Sequence, residues 1–313
     1  MAIHKMIPSS KDYLWGGTKL VEQYGKRTDK KVMAESWEIS SHKDGPSYLE
    51  DKEITLKAYT DTYRHKVMGS KGLDFEDFPI LIKFIDAKEA LSIQVHPDDS
   101  YALKYENQYG KNEMWYVLEA EPGATLYYGV KEDITQEAFR KSIEEDYVLD
   151  VLNEVAVKPG DVIYVPAGTI HAIGAGTVIC EIQQNSNVTY RVYDFKRQQP
   201  DGSYRDLHID EAVAVSNLDK VDTDFVPQGT LEVYEGHSKQ TLVTSPYFVT
   251  THYEVHKGAQ FEVDETSFVS VVCLEGSLSF NDVTLIKGES AFIDANTGSV
   301  SVSGTGRFLH VTL

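Results

Sequence analysis

Residues 157–171 read VKPGDVIYVPAGTIH, and the fold is decided there. The first half alternates apolar and polar residues, the pattern of a half-buried strand. Pro166-Ala167-Gly168 is a turn with a mechanism, because proline fixes φ and glycine permits a positive one. The chain then re-enters a strand, with His171 expected on the concave face of a sheet. Alone, a histidine there is as readily a hydrogen-bonded core residue as a ligand. The case for a ligand depends on what else converges on it.

The bulk properties set the frame. At 313 residues the chain buries a good core and is expected to form two lobes. Hydrophobic content of 41% is ordinary for a water-soluble globular protein. No run of about 18 apolar residues exists, so no helical membrane span is expected. MAIHKMIPSS lacks the apolar core of a signal peptide. Cys180 and Cys273 lie in apolar runs and read as buried thiols in a reducing compartment, which points to the cytoplasm. Net charge is −19, and residues 201–313 hold 6 Lys/Arg against 17 Asp/Glu. Such a surface repels nucleic acid and anionic membranes. An anionic small-molecule substrate would need a local group of cations.

Outward from the opening stretch, the chain is mainly β with a few short helices. Glu35 to Ser40, Phe78 to Ile85, Ala90 to His96, Lys111 to Leu118 and Thr177 to Gln184 read as strands. Helices are expected over 56–68, from 98–100 through Glu106, over 134–143 with Asp133 and Gln136 as a capping box, and over 208–216 as a bridge between lobes. After about residue 228 nearly every segment is strand. Leu274 to Gly276 and Leu285 to Ile293 repeat the cadence of Leu118 to Gly123 and Val157 to Pro166, without a histidine where His171 would recur. The expected division is 1–225, with N-terminal strands, small helical insertions and the functional site, and 226–313, a second barrel without metal ligands that shields a sheet edge.

Gln94 and His96 are two apart on one strand, so they share a face. Glu113 and His171 lie on other strands. Two imidazoles, a carboxylate and an amide oxygen suit Zn²⁺ and other borderline divalent ions. The G-x5-P-x-G-x2-H spacing of 160–171 resembles the second half of the cupin signature, which implies a jelly-roll β-barrel with His171 as a metal ligand.

SIQVHPDD (92–99), KNEMWYVL (111–118), VPAGTIHAI (165–173) and EIQQNSNVTYRVYDF (181–195) together resemble the motif set of the type I mannose-6-phosphate isomerases in their short bacterial form. WGG at 15–17, FPILIKFIDAKEALS and LHIDEAVAV extend the resemblance over most of 11–216. Two cupin-like barrels are implied, with a zinc-dependent interconversion of mannose 6-phosphate and fructose 6-phosphate through a cis-enediol. The resemblance places one metal per chain on Gln94, His96, Glu113 and His171, and the catalytic arginine on Arg191. Lys111 and Ser92 match substrate-pocket positions. Lys111, Glu181 and metal-bound water are the candidate proton carriers, with Lys111 ranked first. Trp15 is a candidate pocket wall, and Arg191 holds oxyanion charge or the phosphate. Ala175 departs from the general cupin pattern, which has asparagine there, and Asn112 departs from many relatives, with an effect expected on the loop. The chain is expected to work as a monomer or weak homodimer. The competing readings are a non-catalytic metal-dependent sugar-binding cupin and a cupin oxygenase with redox-active iron.

Overall fold

A computed structural model describes residues 2–222 and 224–313. Three antiparallel sheets carry the architecture, which is mainly β as expected, with two cupin-like barrels. The six-stranded sheet runs, in order, Val162–Val165, Glu113–Ala120, Thr177–Gln184, Ile80–Ala87, Glu35–Ile39 and Ser9–Lys11. The five-stranded sheet runs Leu152–Ala156, Thr125–Val130, His171–Ala172, Ile93–Val95 and Tyr190–Tyr193. These two sheets enclose the interior that holds the site.

Register explains the chemistry of each face. Residues directly opposite in an antiparallel ladder point the same way. Trp115, Glu181, Lys83 and Trp37 are successive partners across the six-stranded sheet and form one inward row. Met114, Ile182, Ile82 and Ile39 form the neighbouring row on the opposite face. That outer face packs with Phe268, Phe292, Leu309 and Val311 of the C-terminal strands in one continuous core. The second lobe therefore covers a sheet face and not an edge. The six-stranded sheet is buried on both sides, which is why Ile80–Ala87 reads as an almost unbroken apolar run.

The outer face of the five-stranded sheet, with Ile93, Val95 and Ala172, is covered by Phe139, Ile143 and Val213 from two helices. The first, Gln136–Glu144, is capped by Thr135, whose hydroxyl accepts from the Ala138 amide. The expected cap, Asp133, instead accepts from the Lys220 amide. The second, Ile209–Val215, packs against this sheet and does not bridge the lobes, because its apolar residues complete that same core.

The C-terminal strands centre on Gly298–Thr312, which pairs with Val249–Val255, Gly258–Val263 and Val269–Phe280. Phe261, Phe280 and Phe308 fill the space between them. The first strand, Ile3–Ile7, hydrogen-bonds to Ser290–Ile293 of this sheet.

Candidate active site

The Pro166–Gly168 turn does more than reverse the chain. Gly168 takes φ +89°, and its amide donates to the His96 carbonyl at 2.8 Å. The turn thus fixes His96 and His171 relative to each other. Asn112 ties in the third ligand strand. Its side-chain oxygen accepts from the Ala167 amide at 3.0 Å, and its own amide groups donate to Gln184 Oε1 at 2.9 and 2.7 Å.

His96, Glu113 and His171 offer ligand atoms that all lie within 4.8 Å of one another, and all three residues are buried. Glu113 carboxylate oxygens stand 3.2 Å from His171 Nε2 and 3.6 Å from His96 Nε2. The Nδ1 atoms face backbone carbonyls, His96 that of Val188 and His171 that of Thr169, each at 2.8 Å. A carbonyl only accepts, so each Nδ1 carries the proton and each Nε2 lone pair points into the cluster. Both Glu113 oxygens and His171 Nε2 are buried without a hydrogen-bond partner. Lys111 Nζ forms an ion pair with Glu113 Oε2 at 2.8 Å and donates to His96 Nε2 at 3.0 Å. Burial pushes the Glu113 carboxyl above the usual carboxylate range and the His171 imidazole down to about 4. Two neutral imidazole nitrogens beside a buried carboxylate balanced by Lys111 alone are a donor set that fits a divalent cation. Among the described residues no other His/Cys/Asp/Glu cluster has this geometry.

Gln94 pairs directly with His171 on one side and Arg191 on the other, so the three side chains leave the five-stranded sheet on one face. Gln94 is only partly buried and reaches the adjoining cavity of about 280 Å³. Trp15, Ser92, Lys111, Glu181 and Arg191 line the same cavity. The fold brings every sequence-derived candidate to the cavity or to the cluster beneath it. Trp15 is buried and packs at 5.5 Å against Tyr13 at the wall.

Sequence reasoning missed Tyr13, Glu35, Lys83, Thr189 and Arg205, which also line the cavity, and gave Asn187 no role there. Lys83 had a signal: it is the lone cation inside an apolar strand. Its Nζ lies 3.0 Å from Glu181 and 3.9 Å from Glu35. Burial alone would push the Glu181 carboxyl up, but the Lys83 and Lys111 charges, with hydrogen bonds from Lys83 and Trp115, hold it below the usual carboxylate range. Two lysines and two arginines against two carboxylates make this wall a local cationic exception on an acidic protein.

Comparison with known proteins agrees with this geometry. The model of the phosphomannose isomerase type I catalytic domain matches residues 3–123, and that of the mannose-6-phosphate isomerase cupin domain matches 238–313. The mannose-6-phosphate isomerase of Streptococcus mutans is 35% identical over 275 residues, covering 85% of this chain and 83% of the relative. The crystal structure of the mannose 6-phosphate isomerase from Bacillus subtilis superposes with a TM-score of 0.92 at 32% identity, over 100% of both chains. A mannose 6-phosphate isomerase bound with zinc and yttrium shares the fold at 21% identity, with a TM-score of 0.78 over 99% of both chains. The chain belongs to the type I mannose-6-phosphate isomerases.

Proposed function

We propose that this enzyme interconverts mannose 6-phosphate and fructose 6-phosphate by moving a proton between C1 and C2 through a cis-enediolate. The observation that carries the reading is the buried cluster of His96, Glu113 and His171, with His171 Nε2 left without a hydrogen-bond partner, beside a cation-lined cavity. Gln94, His96, Glu113 and His171 are the proposed ligands of one Zn²⁺, a metal bound by one relative of the same fold. When bound, zinc polarises the substrate carbonyl and stabilises oxyanion charge as a Lewis acid. A neutral amide and two neutral imidazoles leave the site net positive beside a single carboxylate.

The chain's own residues divide the remaining work. Lys111, between the ligand cluster and the cavity, is the proposed proton carrier between C1 and C2. Glu181, ion-paired with Lys83 at 3.0 Å and accepting from Trp115 Nε1 at 3.2 Å, positions those two side chains. Arg191 is a permanent cation whose Nε is buried without a partner, suited to an anionic substrate oxygen. Ser92 and Trp15 shape the sugar end of the cavity.

The same reading makes 1–225 the site-bearing unit and 226–313 its cover. It places the enzyme in the cytoplasm, as a monomer or weak homodimer acting on a free sugar phosphate. Fructose 6-phosphate formation from mannose 6-phosphate, assayed with and without chelator, tests the reading. Chelator-sensitive turnover supports it. Absence of turnover on any sugar phosphate leaves a metal-dependent sugar-binding module.

A further inference from the structure

The strand Tyr190–Tyr193 leaves the cavity, the chain returns to it about a dozen residues later, and both ends of the excursion carry arginines. Arg191 Nη1 donates to the Asp206 carbonyl at 2.8 Å. Its backbone amide donates to His208 Nδ1 at 3.0 Å, and the His208 amide donates back to its carbonyl at 2.8 Å. Arg205 is held from the start of the loop: its Nε and Nη2 donate to the two Asp194 oxygens at 2.8 and 2.5 Å. Asp194 is 6% exposed and lies behind the guanidinium, off the cavity wall, whereas Arg205 lines the cavity itself. Each arginine is thus fixed by the far end of the same loop.

The arrangement costs free energy. Phe195 and Lys196 take φ of +54° and +53°, a left-handed pair without glycine, and such residues persist only where their surroundings hold them. Burial, and then the Arg205 charge, push the Arg191 pKa down, so the guanidiniums repel each other. Asp194 and Asp206 counter this repulsion, yet the Arg191 pKa remains lowered. Arg205 keeps Nη1 free of hydrogen-bond partners among the described residues, and Arg191 keeps Nε buried and unpaired.

We propose that Arg205, fixed by Asp194, forms with Arg191 a two-guanidinium clamp for the phosphate dianion of the substrate. The clamp deepens the isomerase reading and rests on it. It assigns the phosphate to the loop side of the cavity and leaves Lys111 free for the carbon end. Guanidiniums suit this task, since their planar forks meet phosphate oxygens two at a time.

Steady-state kinetics of Arg205→Gln tests it. The KM for mannose 6-phosphate is expected to rise about 10- to 100-fold, the scale of removing one charge-assisted hydrogen bond, while kcat falls far less. Competitive inhibition by inorganic phosphate is expected to weaken by a similar factor. Arg205→Lys, which keeps the charge but not the fork, should lie between. Unchanged KM and phosphate inhibition in a folded Arg205→Gln protein would overturn the clamp, as would a kcat loss at constant KM. Should that variant not fold, Asp194→Asn releases the guanidinium without removing it, and an unchanged KM there overturns the proposal equally. If the wild type fails to turn over mannose 6-phosphate, the isomerase reading falls instead.

Discussion

Gln94 and His171 are direct partners across adjacent strands, and Gln94 is at once the partner of Arg191 on its other side. One row of a β-ladder therefore carries two proposed metal ligands and the proposed anion-binding arginine. The row sets the backbone span from ligand to arginine by strand spacing, about 5 Å per strand. Glu113 meets this row from the opposing sheet, so the site depends on two sheets keeping their separation.

That dependence gives the first prediction. Asn112→Ala leaves the Ala167 amide without its partner and removes the side-chain donor to Gln184, keeping the backbone one. The variant should lose about 1–3 kcal/mol of stability. Metal affinity should drop about 10- to 100-fold, as for other supports of ligand positions. Calorimetric titration with Zn²⁺ measures this, and wild-type affinity would show that the turn holds its shape without Asn112.

Lys83 is buried between Glu181 and Glu35, and its charged form is strongly favoured. Lys83→Met strands two carboxylates in the interior and should cost about 3–5 kcal/mol in denaturant unfolding. Adding Glu181→Gln should recover part of that loss. A double variant no more stable than the single one would mean that the pair is not energetically coupled.

Lys111→Ala that retains its metal should lower kcat by about 10²–10⁴-fold, the range for a missing acid–base group. Near-wild-type turnover in a metal-replete variant rules the lysine out as proton carrier.

Far from the site, His4 is fully buried, with Nδ1 2.9 Å from Asp51 and Nε2 3.0 Å from the Tyr59 hydroxyl and 3.6 Å from Asp294. Burial alone would push its pKa down, but the hydrogen bonds and charges of Asp294 and Asp51 outweigh burial and raise it above 6.5. A raised folded pKa adds stability that is fully present below the unfolded value near 6.5. That stability is lost as pH climbs through the folded value. His4→Gln should therefore lower Tm more at about pH 6 than at about pH 9. An equal drop at both would place His4 in its neutral form throughout.

Much of this is legible in the order of residues. Strand alternation puts Gln94 and His96 on one face, and the Pro166–Gly168 turn announces His171, because both signals are local. Arg205 is not legible: it returns to the cavity at the end of an aperiodic loop, and nothing local marks the return. Lys83 stands out as the lone cation inside Phe78 to Ile85, but its direction is hidden, since burial on both sheet faces removes the alternation that would mark it inward. The C-terminal lobe reads as an edge cover because sequence shows strands but not which faces they meet. The helix Ile209–Val215 is misplaced for the same reason.

The most direct test measures bound metal and isomerisation together, in the wild type and in Glu113→Gln, after chelation and stepwise return of Zn²⁺. The account predicts that wild-type turnover rises with added zinc and levels at one ion per chain, and that Glu113→Gln neither binds tightly nor turns over. Full turnover in metal-free wild type, or in Glu113→Gln at the same zinc concentration, would contradict it.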